Sequence, residues 1–424
     1  MSQLKAMYSG IVSENFPETL TIILGDEKLV YKKRAWRIGG ETRGLRYGEN
    51  PDQPAALYQL VDGEAGAPGF KGRSPGDAVV SALEDGQILQ SGKHPGKTNL
   101  TDVDNGANIL QYLSDKPAAV ILKHNNPCGA AWNDDPLEAV KRAFYCDRIA
   151  AFGGVLTTNV PLSREAALFL SASYFEVVAA PAYEEGALAI LSARKNLRIL
   201  ELPGLAKLAN LAKTSFLDIK SLSDGGLIAQ KSFVNRILEN TDFIPATAKT
   251  ADGVEVVARY PDAKELDDLR FAWAVEAGVA SNSAIFARDG ATVAIGAGEQ
   301  DRVGVVELAV RKAYIKFADN LAFDRYGMSL YELRRASAED EALKNSLAEI
   351  EAETDSRRGG LPGSVMVSDG FFPFRDAVDI AIAEGVRAIA HPGGSLRDAD
   401  SIIACDEAVP QVAMAFTGQR SFKH

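Results

Sequence analysis

A chain of 424 residues, 46% apolar and 24% charged, has material for two or three globular domains. Its formal charge of −11 argues against nonspecific nucleic-acid or anionic-membrane binding, and leaves room for a local basic pocket that takes a small phosphorylated molecule. Cys128, Cys146 and Cys405 form neither a disulfide framework nor a CxxC pair, no apolar run nears the roughly 18 residues of a membrane span, and the N-terminus has no signal-peptide pattern, so a cytoplasmic protein is expected.

In chain order, the first marked stretch is LRYGENPDQ (45–53). Arg46 and Tyr47 stand before a turn marked by Gly and Pro, as an anchor for phosphate or ribose would, or as an ordinary turn would. Next, SGKHPGKT (91–98) nearly matches a phosphate-binding P-loop. The first glycine falls one residue late, at Gly92, and Pro95 removes a backbone donor, so the cradle of N–H groups is disrupted. A kinase reading of this loop is disfavoured.

AAVILKH (118–124) is a β-rich run, and NNPCGAA follows it. On a continuing strand Lys123 and His124 would face opposite ways. Asn125-Asn126-Pro127 is expected to break the strand, with a helix starting near Ala130, so that both heads converge at a strand's carboxyl end. A catalytic pair and a hydrogen-bonded structural histidine both fit. Pro127-Cys128 has the look of a zinc deaminase, but residue 131 is Ala and no His-x-Glu occurs, so no catalytic metal is expected and Cys128 reads as a small buried hydrophobe.

AIFARDGATVAIG (284–296) predicts two strands joined across Asp289-Gly290. Asn282 stands at the start of the first, and Gly296-Ala297-Gly298 leads towards Arg302. Residues 328–359, rich in Ala, Leu, Glu and Arg, read as a solvated helical insertion. SVMVSDG (364–370) predicts a strand, 374–385 a helix stopped by Gly385, and VRAIAHPGG (386–394) a further strand. Between them, Phe371, Arg375 and Asp376 combine a flat apolar face with charge, which suits a planar heterocycle or a core. The terminus Arg420-Ser421-Phe422-Lys423-His424 is either a frayed tail or a docked part of a site. The alternation predicts an α/β fold, and the polar loops near 123–131, 281–302 and 368–380 suggest two related halves.

LRYGENPDQ, KHNNPCGAA, DRIAAFGG (147–154), SNSAIFARDG with GAGEQDR, SDGFFPFRDAVD, HPGGSLRD (391–398) and RSFKH follow one another in this order. Together they resemble the transformylase part of the bifunctional AICAR transformylase/IMP cyclohydrolase family. That resemblance implies two cytidine-deaminase-like α/β/α domains without zinc, in an intertwined homodimer whose active sites lie at the interface. The expected division is an N-terminal extension over 1–41, a first domain over 42–228 completed by the helical insertion 322–360, and a second over 229–321 with 361–424. Only some forty residues precede LRYGENPDQ, so the family's cyclohydrolase domain is expected to be absent and ring closure to need a separate enzyme. Ala280 and Lys423 stand where relatives often carry a long polar residue and a second histidine.

The implied reaction moves the formyl group of 10-formyltetrahydrofolate to the 5-amino group of AICAR ribonucleotide, with a monovalent cation as a further candidate component. By resemblance, Lys123, His124 and Asn282 are catalytic. Arg46, Tyr47, Phe152, Gly153, Glu176, Arg420, Phe422 and His424 bind AICAR, and Arg302, Phe371 and Asp376 line the folate side. The alternative is a non-catalytic paralogue that binds purine precursors.

Overall fold

The computed structural model describes residues 12–424. The chain opens on an antiparallel sheet of β1 (Thr19–Leu24), β2 (Glu27–Arg34) and β3 (Leu57–Asp62). Strand β4 (Ile88–Gln90) leads to helix α1 (Lys97–Leu110), then to β5 (Ala118–Lys123) and β6 (Asn126–Trp132). Helices α2 (Pro136–Cys146) and α3 (Arg148–Ala151) precede β7 (Gly154–Thr158), and α4 (Arg164–Ser171) precedes β8 (Phe175–Ala180) and β9 (Arg198–Glu201). Next come β10 (Ile244–Pro245), α5 (Ala263–Glu276), and the pair β11 (Ala284–Arg288) and β12 (Ala291–Gly296). Three helices follow, α6 (Arg302–Tyr326), α7 (Leu330–Ala336) and α8 (Glu341–Ser356). The chain closes with β13 (Val365–Ser368), α9 (Asp376–Ala383), β14 (Ala388–His391), α10 (Asp398–Glu407) and β15 (Ala413–Phe416).

The chain forms two compact units. One holds the described residues up to Asn125 with Gly153–Asn235, and the other holds Asn126–Phe152 with Arg236–His424. In the first, the main sheet runs β5-β7-β8-β9-β4, with β7, β8 and β9 parallel and both outer strands antiparallel. Its strands are buried along nearly their whole length, as in Ala118–Leu122 and Val177–Ala180, which explains their continuous apolar runs.

In the second unit the order is β10-β15-β14-β13-β11-β12-β6. Within it β11-β13-β14-β15-β10 repeats the first unit's pattern of an antiparallel strand, three parallel strands and a short antiparallel edge. Phe286, Met366, Phe372, Ile389 and Met414 fill the core between this sheet and its helices. Residues 322–360, expected to complete the first domain, fold within the second unit. Leu330, Leu333 and Ile350 of α7 and α8 close over Ala318 and Ala322 of α6, so the segment continues the long helix that starts at Arg302. Among the described residues no helix is long and apolar enough to cross a membrane.

One local expectation fails. No helix starts near Ala130, because Asn126–Trp132 is a strand. The chain turns through His124 and Asn125, with φ of 55° and 61°, rather than being stopped at Pro127.

Candidate functional site

In the first unit, strands β7, β8 and β9 begin at one edge of the sheet, where β5 and β4 end. The chemistry-bearing residues gather there. Lys123 is the last residue of β5, partly buried, and His124 follows it exposed to solvent. Lys123 thus ends its strand as expected, but this edge is the amino side of the three parallel strands. Two positive-φ residues without a glycine cost roughly 1 kcal/mol or more each, so something must hold them. Helix α1 does so with two polar groups one turn apart on a buried face. Asp102 accepts the Asn125 N–H at 2.5 Å, and Asn105 Nδ2 donates to the Asn125 carbonyl at 2.9 Å.

Gly153 shows why the next strand starts as it does. It has φ of 75° and donates its N–H to the Tyr174 carbonyl at 2.8 Å. A Cβ added there would sit 3.9 Å from Lys123 Nζ and 3.6 Å from the Tyr174 ring, so the bare backbone keeps space beside the lysine. Phe152, just before it, is exposed.

The opposite end of this edge is basic. Arg46 is 8% exposed and Arg198, the first residue of β9, is 7% exposed. Arg46 Nη2 donates to Tyr47 Oη at 2.7 Å, with its guanidinium 4.6 Å from the Tyr47 ring. Glu176, second in β8, accepts from Asn99 Nδ2 at 2.9 Å, and Asn99 Oδ1 in turn accepts from the Gly96 N–H that caps α1. Burial, and then the nearby Arg46, push the Arg198 guanidinium down from its ordinary value, while Glu176 and two tyrosines pull the other way. The near-P-loop at 91–98 lies here too, but its parts are structural. His94 is buried with Nε2 3.0 Å from the Trp36 carbonyl, and Lys97 pairs with Glu49 at 2.6 Å. In LRYGENPDQ the Gly48 N–H closes on the Gln53 carbonyl at 2.8 Å, a tight turn that sets Tyr47 against Gly96.

The second unit carries a cavity of about 370 Å³, lined among others by Asn282, Arg302, Phe371, Arg420 and Phe422. Arg302 opens α6 and ties the site together. It is ion-paired with the fully buried Asp369, donates to Ser368 Oγ at 2.9 Å, and reaches Asn282 Oδ1 at 2.5 Å. Asn282 Nδ2 donates to the Gln300 carbonyl at 3.0 Å, so both ends of the amide are oriented. Arg420 lies between two rings, 5.1 Å from Phe371 and 5.6 Å from Phe422. The terminus is docked: Ser421 N–H donates to the Asp369 carbonyl at 3.0 Å, the Lys423 carbonyl accepts from Ser281, and Lys423 Nζ reaches the Gly278 carbonyl at 3.1 Å. Gly370 lets both side chains close in, because a Cβ there would meet Arg302 Nη2 at 2.6 Å and the Phe422 ring at 3.0 Å and would displace them. His424 is exposed, with its ring 6.1 Å from Phe422. Asp376 does not line this cavity. It is exposed at the start of α9, where its carboxylate accepts the Ala377 N–H at 2.8 Å.

Several residues here escaped the sequence. Asp102 and Asn105 sit three apart on the buried face of α1, and that polar pair inside TDVDNGAN was the available signal. Arg198 and Asp369 gave none beyond a charge inside a strand pattern. Beneath Asp369, the fully buried Glu276 hydrogen-bonds Ser283 Oγ, and burial followed by the Asp369 charge holds its carboxyl well above the usual range. The three thiols are buried and none is in a disulfide, and burial raises that of Cys146 to about 12. Among the described residues no group of three or more His, Cys, Asp or Glu side chains is placed to hold a metal ion.

A family model described as AICARFT/IMPCHase bienzyme matches residues 3–312. The chain is 36% identical over 383 residues to the bifunctional purine biosynthesis protein PurH of Roseobacter denitrificans, covering 90% of this chain and 59% of that protein. It is 32% identical over 420 residues to PurH of Aquifex aeolicus, covering 99% and 65%. With PurH of Caldicellulosiruptor saccharolyticus it shares 33% over 385 residues, covering 90% and 59%. The chain therefore spans about three fifths of the length of these relatives.

Proposed function

Since the chain belongs to the AICARFT/IMPCHase family, we propose that it transfers the formyl group of 10-formyltetrahydrofolate to the 5-amino group of AICAR ribonucleotide, giving FAICAR and tetrahydrofolate. The observation that carries this reading is the turn after β5. A strained backbone, gripped by two buried side chains of α1, carries Lys123 and His124 in succession at the sheet edge. A surface loop would not need such support.

The chemistry asks for these groups. The 5-amino lone pair is delocalised into the imidazole carboxamide, and the donor formyl is amide-like. The enzyme must align the two, accept a proton from the amine and stabilise an oxyanion. In our assignment His124 takes the proton, directly or by relay, and Lys123 supports the oxyanion or the departing folate nitrogen. Asn282, oriented by Arg302, holds the formyl oxygen in register with its remaining amide hydrogen. Arg46, Tyr47 and Arg420 take the 5′-phosphate. Phe152, Gly153, Glu176, Phe422 and His424 shape the nucleoside site, and Phe371 and Arg302 line the folate side, with Asp376 at its rim. We further propose that the two units are cytidine-deaminase-like domains of an intertwined homodimer, in which partner residues complete each site. The repeated strand order supports two related domains.

Formyl transfer, not ring closure, is the activity assigned to these residues; formation of IMP from FAICAR by the pure protein would show ring closure as well. The test is a folate-dependent assay with AICAR ribonucleotide. Lys123→Ala should lower kcat by ~10²–10³-fold with the circular dichroism unchanged. Near-normal turnover in the variant takes Lys123 out of the chemistry, and no turnover in the wild type favours a non-catalytic binding protein.

A further inference from the structure

The basic end of the first unit's edge holds more positive charge than the fold can use. Arg46 and Arg198 are both more than nine-tenths buried, and among the described residues the Nε of each has no hydrogen-bond partner. Among the described residues neither makes an ion pair within 4.0 Å, and Arg198 makes no side-chain hydrogen bond at all. Arg46 spends one nitrogen on Tyr47, and the Glu176 carboxylate is engaged by Asn99. The two guanidiniums repel each other, as the downward push of Arg46 on Arg198 records. Glu176 is a single carboxylate against two buried guanidiniums, so one positive charge is left uncompensated, and folds tolerate that where a ligand brings the missing charge. The first turn of α1, which carries no acidic residue, begins beside the Tyr47 ring in the same cluster and adds N–H dipoles of the same sign.

We propose that Arg198 is a further guanidinium of the phosphate cradle assigned to Arg46, Tyr47 and Arg420, paired with Arg46 at this sheet edge, and that it decides for the ribonucleotide against the unphosphorylated nucleoside. The proposal rests on the formyl-transfer reading for the identity of its ligand, and on geometry alone for the chemistry it recognises. A phosphate monoester brings nearly two negative charges and three acceptor oxygens, enough to engage both forks at once. Tyr47 would add a hydroxyl donor once its bond from Arg46 is exchanged for the phosphate. Arg198 is here a binding residue, with no part in the proton transfers.

The experiment uses the full chain and ribose 5-phosphate as probe, with sodium chloride at matched ionic strength as the control for screening. In the wild type the melting temperature should rise with ribose 5-phosphate. In Arg198→Met the ligand-free melting temperature should be equal or higher, because repulsion and desolvation are relieved. Its affinity for ribose 5-phosphate should fall roughly 10–100-fold, the loss expected for a charge-assisted pair. Arg198→Lys, which keeps the charge but not the fork, should fall between, and carries the same readout should the Met variant not fold. In the formyl-transfer assay KM for AICAR ribonucleotide should rise by the same factor while that for the nucleoside stays put. A wild type indifferent to ribose 5-phosphate, or variants that bind it as tightly, overturns the cradle. Because ribose 5-phosphate binding needs neither folate nor turnover, an Arg198-dependent melting shift without formyl transfer would sink the catalytic reading and leave the cradle standing.

Discussion

Asp102 illustrates how much of this site depends on residues that touch no substrate. Its carboxylate and the Asn105 amide hold the Asn125 backbone, and through it His124 at φ of 55°. Asp102→Ala removes a charge-assisted hydrogen bond from a strained turn, a loss of ~1.5–3 kcal/mol. We expect kcat for formyl transfer to drop more than KM, with Asp102→Asn recovering most of it because an acceptor remains. Equal loss of both parameters would mean that the turn only shapes binding. His391 makes a second residue-scale case. It is fully buried between Phe372 and Phe416, with ring centroids 5.0 and 4.9 Å away, and its Nδ1 accepts from the Gly393 N–H. Burial, and then Arg302, lower its pKa from 6.5 to about 3. The unfolded chain therefore binds an extra proton between those values, so the stability due to neutral His391 is complete above pH 6.5 and is lost as pH falls towards 3. In His391→Gln, urea unfolding between pH 6 and 4 should lose stability less steeply, by about 1.4 kcal/mol per pH unit. An unchanged slope would show that this imidazole does not govern acid unfolding.

At the scale of elements, the two units use one device twice. Asp102 and Asp268 are each the sixth residue of their helix, α1 and α5. Asp268 accepts the N–H groups of Asp289 and Gly290 at 3.0 and 2.7 Å, where φ is 53° and 71°. A helix carboxylate thus clamps a left-handed two-residue turn at the end of β5 and again at the end of β11. One turn carries Lys123-His124 and the other Arg288-Asp289, so only one of the two matching turns bears the lysine–histidine pair. Of the two turns, Asp289-Gly290 was legible in the sequence because Gly accepts positive φ without strain. His124-Asn125 was not, because its conformation is imposed by α1 from outside the segment, and Pro127 drew the break three residues too late. The docked terminus is the other element-scale feature. Removing 420–424 takes Arg420 from between Phe371 and Phe422 and frees the Asp369 carbonyl. We expect a truncated protein that still folds by circular dichroism, with the AICAR ribonucleotide KM raised at least ~10-fold. An unaltered KM would make the tail a mere strap.

For the whole molecule, the proposed intertwined dimer predicts a species of twice 45.4 kDa in sedimentation, with specific activity that falls on dilution once it dissociates. A fully active species at the single-chain mass would exclude shared sites. Local pattern by itself determined the α/β alternation, the 284–296 hairpin, the strands at 118 and 364, the helix stopped at Gly385 and, through ordered motifs, the set of residues to inspect. These are legible because periodicity, turn chemistry and residue type act over a few neighbours. Tertiary structure alone decided that 322–360 joins the second unit and that Asp376 sits exposed at the start of α9, outside the lining of the cavity. It also decided that Arg302 binds both Asp369 and Asn282, and that the buried Arg198 lies within electrostatic reach of Arg46. Each of these depends on which distant strands begin at one sheet edge, and on which buried charges find a partner there. Those are long-range pairings, and no window of neighbouring residues encodes them.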